Sequence, residues 1–130
     1  MFAVDTNVVV RLLAQDEPAQ SKRSAQLFRT QEIFIPETVI LETAWVLSDA
    51  YHFNRHQIVA GLTKLFGLPN VHLRDSIAVD LALEWYAGGL DIADALHLAE
   101  STNCQQMLTF DQRFVNRARR LNSHPVTLLT

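Results

Sequence analysis

Short apolar runs alternate along this chain with longer stretches of helical period, and that alternation limits the fold more than any single residue does. Residues 2–4, 33–35, 71–73, 107–110 and 126–129 read as strands, rich in Val, Ile, Leu and Phe. Helical readings fall between them. A helical turn covers 7–13. A helix starts at Asp16-Glu17-Pro18, with Pro18 at its first position, and runs to 29. Further helices span 37–50 and 56–66, the second closed by Gly67 and Pro69. Asp75-Ser76 caps a helix that ends near Gly88-Gly89, and 91–102 and 112–121 complete the set. Strands separated by helices pair in parallel and are covered on both faces. The expectation is an α/β fold: three layers, α/β/α, around a central, mainly parallel sheet of about five strands, forming one domain over 1–130.

Such sheets bind ligands beyond the carboxyl ends of their strands. Asp5 and Asp111 each follow a strand directly, so chain direction alone brings two acids to that rim. Glu42 is the only charged residue of 39–47, and Asp94 sits in the apolar stretch Ile92-Ala93-Asp94-Ala95-Leu96. Both are expected at the same edge, near the first turns of their helices. No Lys or Arg lies within three residues of Asp5, Glu42 or Asp94. A buried acid without a partner costs several kcal/mol, roughly, and a divalent cation is the simplest compensation. Oxygen-only ligands favour magnesium or manganese. Taken singly, each acid has a plainer reading. Asp5 and Asp111 suit helix caps, and Asp94 suits a helix N-terminus. Four unrelated structural acids in these places are the less economical account.

These acids stand in motifs that resemble those of the PIN-domain ribonucleases, and more closely the VapC-type toxins of bacterial toxin–antitoxin pairs. The motifs are Val4-Asp5-Thr6-Asn7, Leu41-Glu42-Thr43, Ala93-Asp94-Ala95-Leu96-His97 and Thr109-Phe110-Asp111, in that order over essentially the whole chain. The resemblance implies a PIN-like domain whose catalytic and metal-binding quartet is Asp5, Glu42, Asp94 and Asp111. It implies one or two Mg2+ or Mn2+ ions and hydrolysis of RNA by a metal-activated water, leaving a 5′ phosphate and a 3′ hydroxyl. Thr6, Asn7 and Thr109 would orient the carboxylates from behind, or else serve as ordinary strand-end caps. The implied partners are an RNA substrate, a cognate antitoxin and a second copy in a homodimer, with DNA reached only through the antitoxin.

Other residues carry weaker signals. Asp91, one turn before Asp94, reads as an extra ligand or a helix cap, with the cap favoured. His97 reads as a packed or surface histidine before it reads as part of the site. His52, His56, His72 and His124 form no ligand set, and Asp80 with Glu84 reads as a solvated face. Arg113, Arg117 and Arg120 recur along one stripe of the helix after Asp111, with Arg119 beside it. That stripe suits RNA phosphates or is an ordinary solvated face, with the RNA contact favoured and Arg11 and Arg23 as lesser candidates. Trp45 and Trp85 read as core or interface anchors. Under the resemblance, the apolar run 39–47 could supply dimer and antitoxin surfaces, and its periodicity fits interface and core alike.

Composition narrows the classes that remain. A net charge of −3 removes a generic polyanion binder, so any RNA must be held by local charge and metal. One cysteine precludes an internal disulfide, and no basic leader or long apolar span precedes the first strand, so a cytoplasmic protein without membrane contact is expected. A haloacid-dehalogenase-like phosphatase wants a second aspartate two residues after the first, where this chain has Asn7. It also wants a strand-end lysine, and neither Lys22 nor Lys64 fits. A signalling receiver domain fails on the same missing lysine, and on the absence of an adjacent acidic pair after the first strand. The remaining alternative is a catalytically degenerate PIN-fold module that binds RNA.

Overall fold

The computed structural model describes all 130 residues and is α/β, with seven helices and five short strands whose pairings are all parallel. The chain divides into two compact units, Met1–Ser76 and Ile77–Thr130. The strands do not form one hydrogen-bonded sheet of about five. Three pair in the order β1-β2-β3 and two as β4-β5. Alternation along a sequence fixes the number and sense of strands but not which strands pair. No helix is long and apolar enough to cross a membrane.

In the first unit, β1 (Phe2–Ala3) and β3 (Val71–His72) flank β2 (Ile33–Phe34), with Phe2 opposite Ile33 and Ile33 opposite Val71. The Asn70 amide donates to the carbonyls of Phe28 (2.6 Å) and Gln31 (2.7 Å), tying the entry of β3 to that of β2. Helix α1 (Thr6–Ala14) contains three consecutive valines, which disfavour a helix intrinsically. Burial overrides that preference, because Val9 and Val10 are almost fully enclosed. Each such side chain contributes about 1.5–3 kcal/mol on burial, well above the propensity cost. Helix α2 (Pro18–Thr30) is capped by the Glu17 carboxylate, which accepts from Ala19 N (3.1 Å) and Gln20 N (3.0 Å). Helix α3 (Glu37–Asp49) buries Val39, Ile40, Thr43, Ala44 and Leu47. Helix α4 (Arg55–Phe66) opens with a reciprocal capping box between Asn54 and Gln57.

Helix α5 (Ser76–Ala87) opens at the boundary, and the second unit continues with α6 (Ile92–Ala99), β4 (Met107–Thr109), α7 (Gln112–Leu121) and β5 (Val126–Leu128). Helix α6 stops at Ala99, three residues short of its sequence expectation, where Ser101 Oγ turns back to donate to the His97 carbonyl (2.7 Å). A Cβ at Gly88 would lie 2.5 Å from Leu121 Cδ2, so a side chain there would displace the end of Leu121. Gly89 is needed for its backbone, at φ +122.

Candidate active site

In the first unit the end of β1 feeds directly into α1, and Asp5 occupies the junction. Its backbone is extended (φ −87, ψ 167), and its carboxylate accepts from Thr6 N at 2.6 Å, capping the helix. Thr6 is 5% exposed, and its hydroxyl donates to Glu42 Oε1 on α3. That bond ties the opening of α1 to α3 and places Asp5 and Glu42 on either side of one threonine. Asp5 Oδ2 and Glu42 Oε2 take no hydrogen bond.

In the second unit Asp111 caps α7 after β4, accepting from Arg113 N (2.9 Å) and Phe114 N (3.3 Å). Thr109 Oγ1 accepts from Asp111 N at 3.0 Å and so fixes the turn that presents the carboxylate. Asp91 caps α6 through Ala93 N at 3.1 Å. Asp94 follows in the first turn, half-buried. Its carboxyl is held above the ordinary carboxylate range, first by burial and then by the charges of Asp91 and Asp111, while His97 and Arg117 pull it down. Three acids of the second unit thus share one electrostatic neighbourhood, with an arginine of α7 beside them.

Several expectations need correction. Asp5, Glu42 and Asp111 are exposed rather than buried, so desolvation of a lone charge does not by itself demand a cation there. Glu42 lies in the second turn of α3, not its first. Asp91 is the helix cap, the favoured of its two readings, so α6 starts one residue later than expected, at Ile92. Of the two tryptophans, Trp85 is buried at 8% exposure and Trp45 is 46% exposed. The run 39–47 is mostly core, which leaves Trp45 as its principal exposed apolar side chain. His97 is exposed.

The fit of these residues to a divalent cation is partial. The free carboxylate oxygens are hard donors of the right kind, and the crowding at Asp94 is a repulsion that a cation would relieve. Within each unit, however, no three His, Cys, Asp or Glu side chains are gathered into a metal-holding set. The first unit offers the pair Asp5 and Glu42, and the second offers Asp94 with Asp111 and the capping Asp91.

On α7, Arg113, Arg119 and Arg120 are exposed, Arg117 is half-buried, and none of the four forms an ion pair. Sequence reasoning missed two features. Thr6 acts as the bridge between Asp5 and Glu42, and nothing in its local pattern announces a bond to a residue thirty-six positions away. Arg117 stands near Asp94 in space although no cation is near it in sequence.

Comparison with known families decides the broad class, because the PIN domain model matches residues 2–120, spanning both units. The chain belongs to the PIN domain family. No curated protein matches it. PIN domains are generally nucleases and usually bind divalent metal ions. Both acid pairs of this PIN domain lie inside the matched segment.

Proposed function

We propose that this PIN-domain chain is a metal-dependent endoribonuclease and the toxin of a type II toxin–antitoxin pair. The family match carries the nuclease class, and Asp5 and Asp111 at the strand ends, with Glu42 tied to Thr6 and Asp94 near Asp111, support the assignment of Asp5, Glu42, Asp94 and Asp111 as catalytic and metal ligands. Mg2+ or Mn2+, one ion or two, would be held by their unbonded oxygens. When bound, such an ion supplies Lewis acidity, lowering the pKa of a water and taking up negative charge on the phosphoryl oxygens. The protein's own part is placement. Thr6 holds Glu42 and presents Asp5, while Thr109 presents Asp111. Arg113, Arg117 and Arg120 offer unpaired charge for phosphates beyond the cleaved bond. Asn7 belongs with Thr6 and Thr109 as a residue that orients the site from behind.

Partners follow from the same reading: an antitoxin, a second copy of the chain, and DNA only through the antitoxin, in the cytoplasm. Exposed Trp45, Leu108 and Phe110 are apolar anchors suited to a protein partner. A second reading, an RNA-binding module without catalysis, draws support from the helix-capping roles of Asp5 and Asp111 and from the lack of a gathered metal set within either unit. Calorimetric titration of Mg2+ and Mn2+, run beside cleavage of a mixed RNA pool, separates the two. Binding with cleavage supports the enzyme; RNA binding with neither supports the module.

A further inference from the structure

The groove between α1 and α2 holds a cavity of about 230 Å3 lined by Asn7, Val8, Arg11, Gln20, Arg23 and Ser24, all in the first unit. It lies below the usual range for whole drug-sized ligands, roughly 300–1,000 Å3, and suits one planar ring system. Asn7 stands two residues after Asp5 on the opening turn of α1, so a group in the cavity would belong to a nucleotide close to a phosphodiester at Asp5.

The polar groups here are unusually committed. Arg11 Nε donates to Gln20 Oε1 (2.7 Å), and its Nη1 donates to Tyr51 Oη (3.0 Å) and Asp16 Oδ1 (3.3 Å). Tyr51 Oη in turn donates to Asp16 Oδ2 at 2.6 Å. The Arg11 guanidinium is therefore ordered before any ligand arrives, which removes part of the entropic cost of binding. With Gln20 Oε1 occupied, the free end of that amide is its NH2. Arg23 is exposed and forms no ion pair. The cavity wall is mostly apolar, from Val8 and the side-chain stems, and its few polar groups come from Asn7 and Ser24, which can donate or accept, and from Arg11, Gln20 and Arg23, whose uncommitted nitrogens only donate.

We infer that this cavity takes one unpaired guanine of a single-stranded RNA, an inference that rests on the ribonuclease reading above. Guanine alone presents two adjacent acceptors, O6 and N7, on its Hoogsteen edge, matched by a guanidinium fork. Adenine and cytosine place an amino donor on that edge, which would face donors here. The base must be unpaired, because the deep, narrow major groove of an RNA duplex keeps that edge from side chains.

The test uses the full chain in chelator and short uridine-rich single-stranded RNAs that differ at one position: guanine, 7-deazaguanine or an abasic site. Fluorescence anisotropy should show guanine binding about fivefold or more tightly than either substitute, the low end of bidentate discrimination. Arg23→Gln should shrink that difference below about twofold. Gln20→Glu, which replaces a donor by an acceptor at an exposed position, should also abolish the guanine preference. Asp5→Asn should keep it, because the cavity does not include that carboxylate. Equal affinity for all three RNAs, with cleavage intact when metal is added, would mean that the groove holds phosphate or nothing, and overturns the base pocket alone. Absence of both binding and cleavage overturns the ribonuclease reading together with it.

Discussion

Replacing Asp94 by Asn in metal-free protein should make the fold more stable, against the usual direction for a first-turn acid. Asp91, at the cap, lies three residues before Asp94, a spacing at which helix neighbours stand about 5–6 Å apart between Cβ atoms. Two like charges 6 Å apart repel by about 0.7 kcal/mol in bulk water and about 2.8 kcal/mol at an effective dielectric near 20. Asp94 is only half-buried, so solvent screening draws the value toward the lower figure, and Asp111 adds a second repulsion of the same sign. A carboxylate in the first turn of a helix gains about 0.3–1 kcal/mol from the backbone dipole, which asparagine gives up. Repulsion and desolvation should win by about 0.5–1 kcal/mol, a rise in Tm of about 2–4 °C.

The pH dependence follows from the direction of the shift. The folded state holds the Asp94 proton more tightly than the unfolded state, so the wild type is spared the penalty at pH values below the ordinary carboxylate pKa, about 3.9. It bears the penalty in full above the raised folded value. The gap between variant and wild type should therefore open as pH rises from about 4 and become flat above the raised folded value. Magnesium at ten times its Kd should then stabilise the wild type by about 1.4 kcal/mol and the variant by less. Thermal melts of both proteins, in chelator and in magnesium, at pH 4 and pH 7, check each step. A variant less stable than wild type at pH 7 in chelator would show that the dipole term dominates and that Asp94 is a structural acid.

Thr43→Val should raise Tm by a few degrees. The Thr43 hydroxyl is fully buried without a hydrogen-bond partner, and removing an unsatisfied polar group at constant shape returns about 1 kcal/mol. A lower Tm by calorimetry would mean that the hydroxyl has a partner in solution. Arg113→Glu with Arg117→Glu should weaken RNA binding and flatten its salt dependence by about 0.7 per lost phosphate contact on single strands. An unchanged slope in a salt titration of affinity would reduce the stripe to a solvated face.

The alternation of apolar runs and helical periods was enough to place all the elements, because each signal is local: a period, a cap or a glycine stop. Pro18 at the start of α2 and Gly89 past the end of α5 are such signals. The Asn54–Gln57 capping box was equally readable and would have set the start of α4 one residue earlier, at Arg55. Pairing was not legible. Strands of two or three residues carry no register information, so the division into three paired strands and two lay outside sequence reasoning. The order and spacing of the acids pointed to the family, but their exposure did not follow from their neighbours. Glu42 has apolar neighbours in sequence and still faces solvent, because the buried face of α3 is Val39, Ile40, Thr43, Ala44 and Leu47. The Thr6–Glu42 bond joins residues that only the tertiary fold brings together.

The central claim is that the acids of this PIN domain bind a divalent cation in order to cut RNA. Its most direct test is cleavage of a mixed single-stranded RNA pool by purified protein, titrated with Mg2+ and Mn2+ from full chelation and repeated with Asp5→Asn and Asp94→Asn, each variant first shown to keep its circular dichroism spectrum. The account predicts no cleavage in chelator, saturable cleavage with either metal that leaves 5′ phosphate and 3′ hydroxyl ends, and loss of at least about a hundredfold in rate for each variant, since each removes a ligand that the metal needs. Cleavage that persists in chelator, or that survives in both folded variants at the wild-type rate, would contradict it.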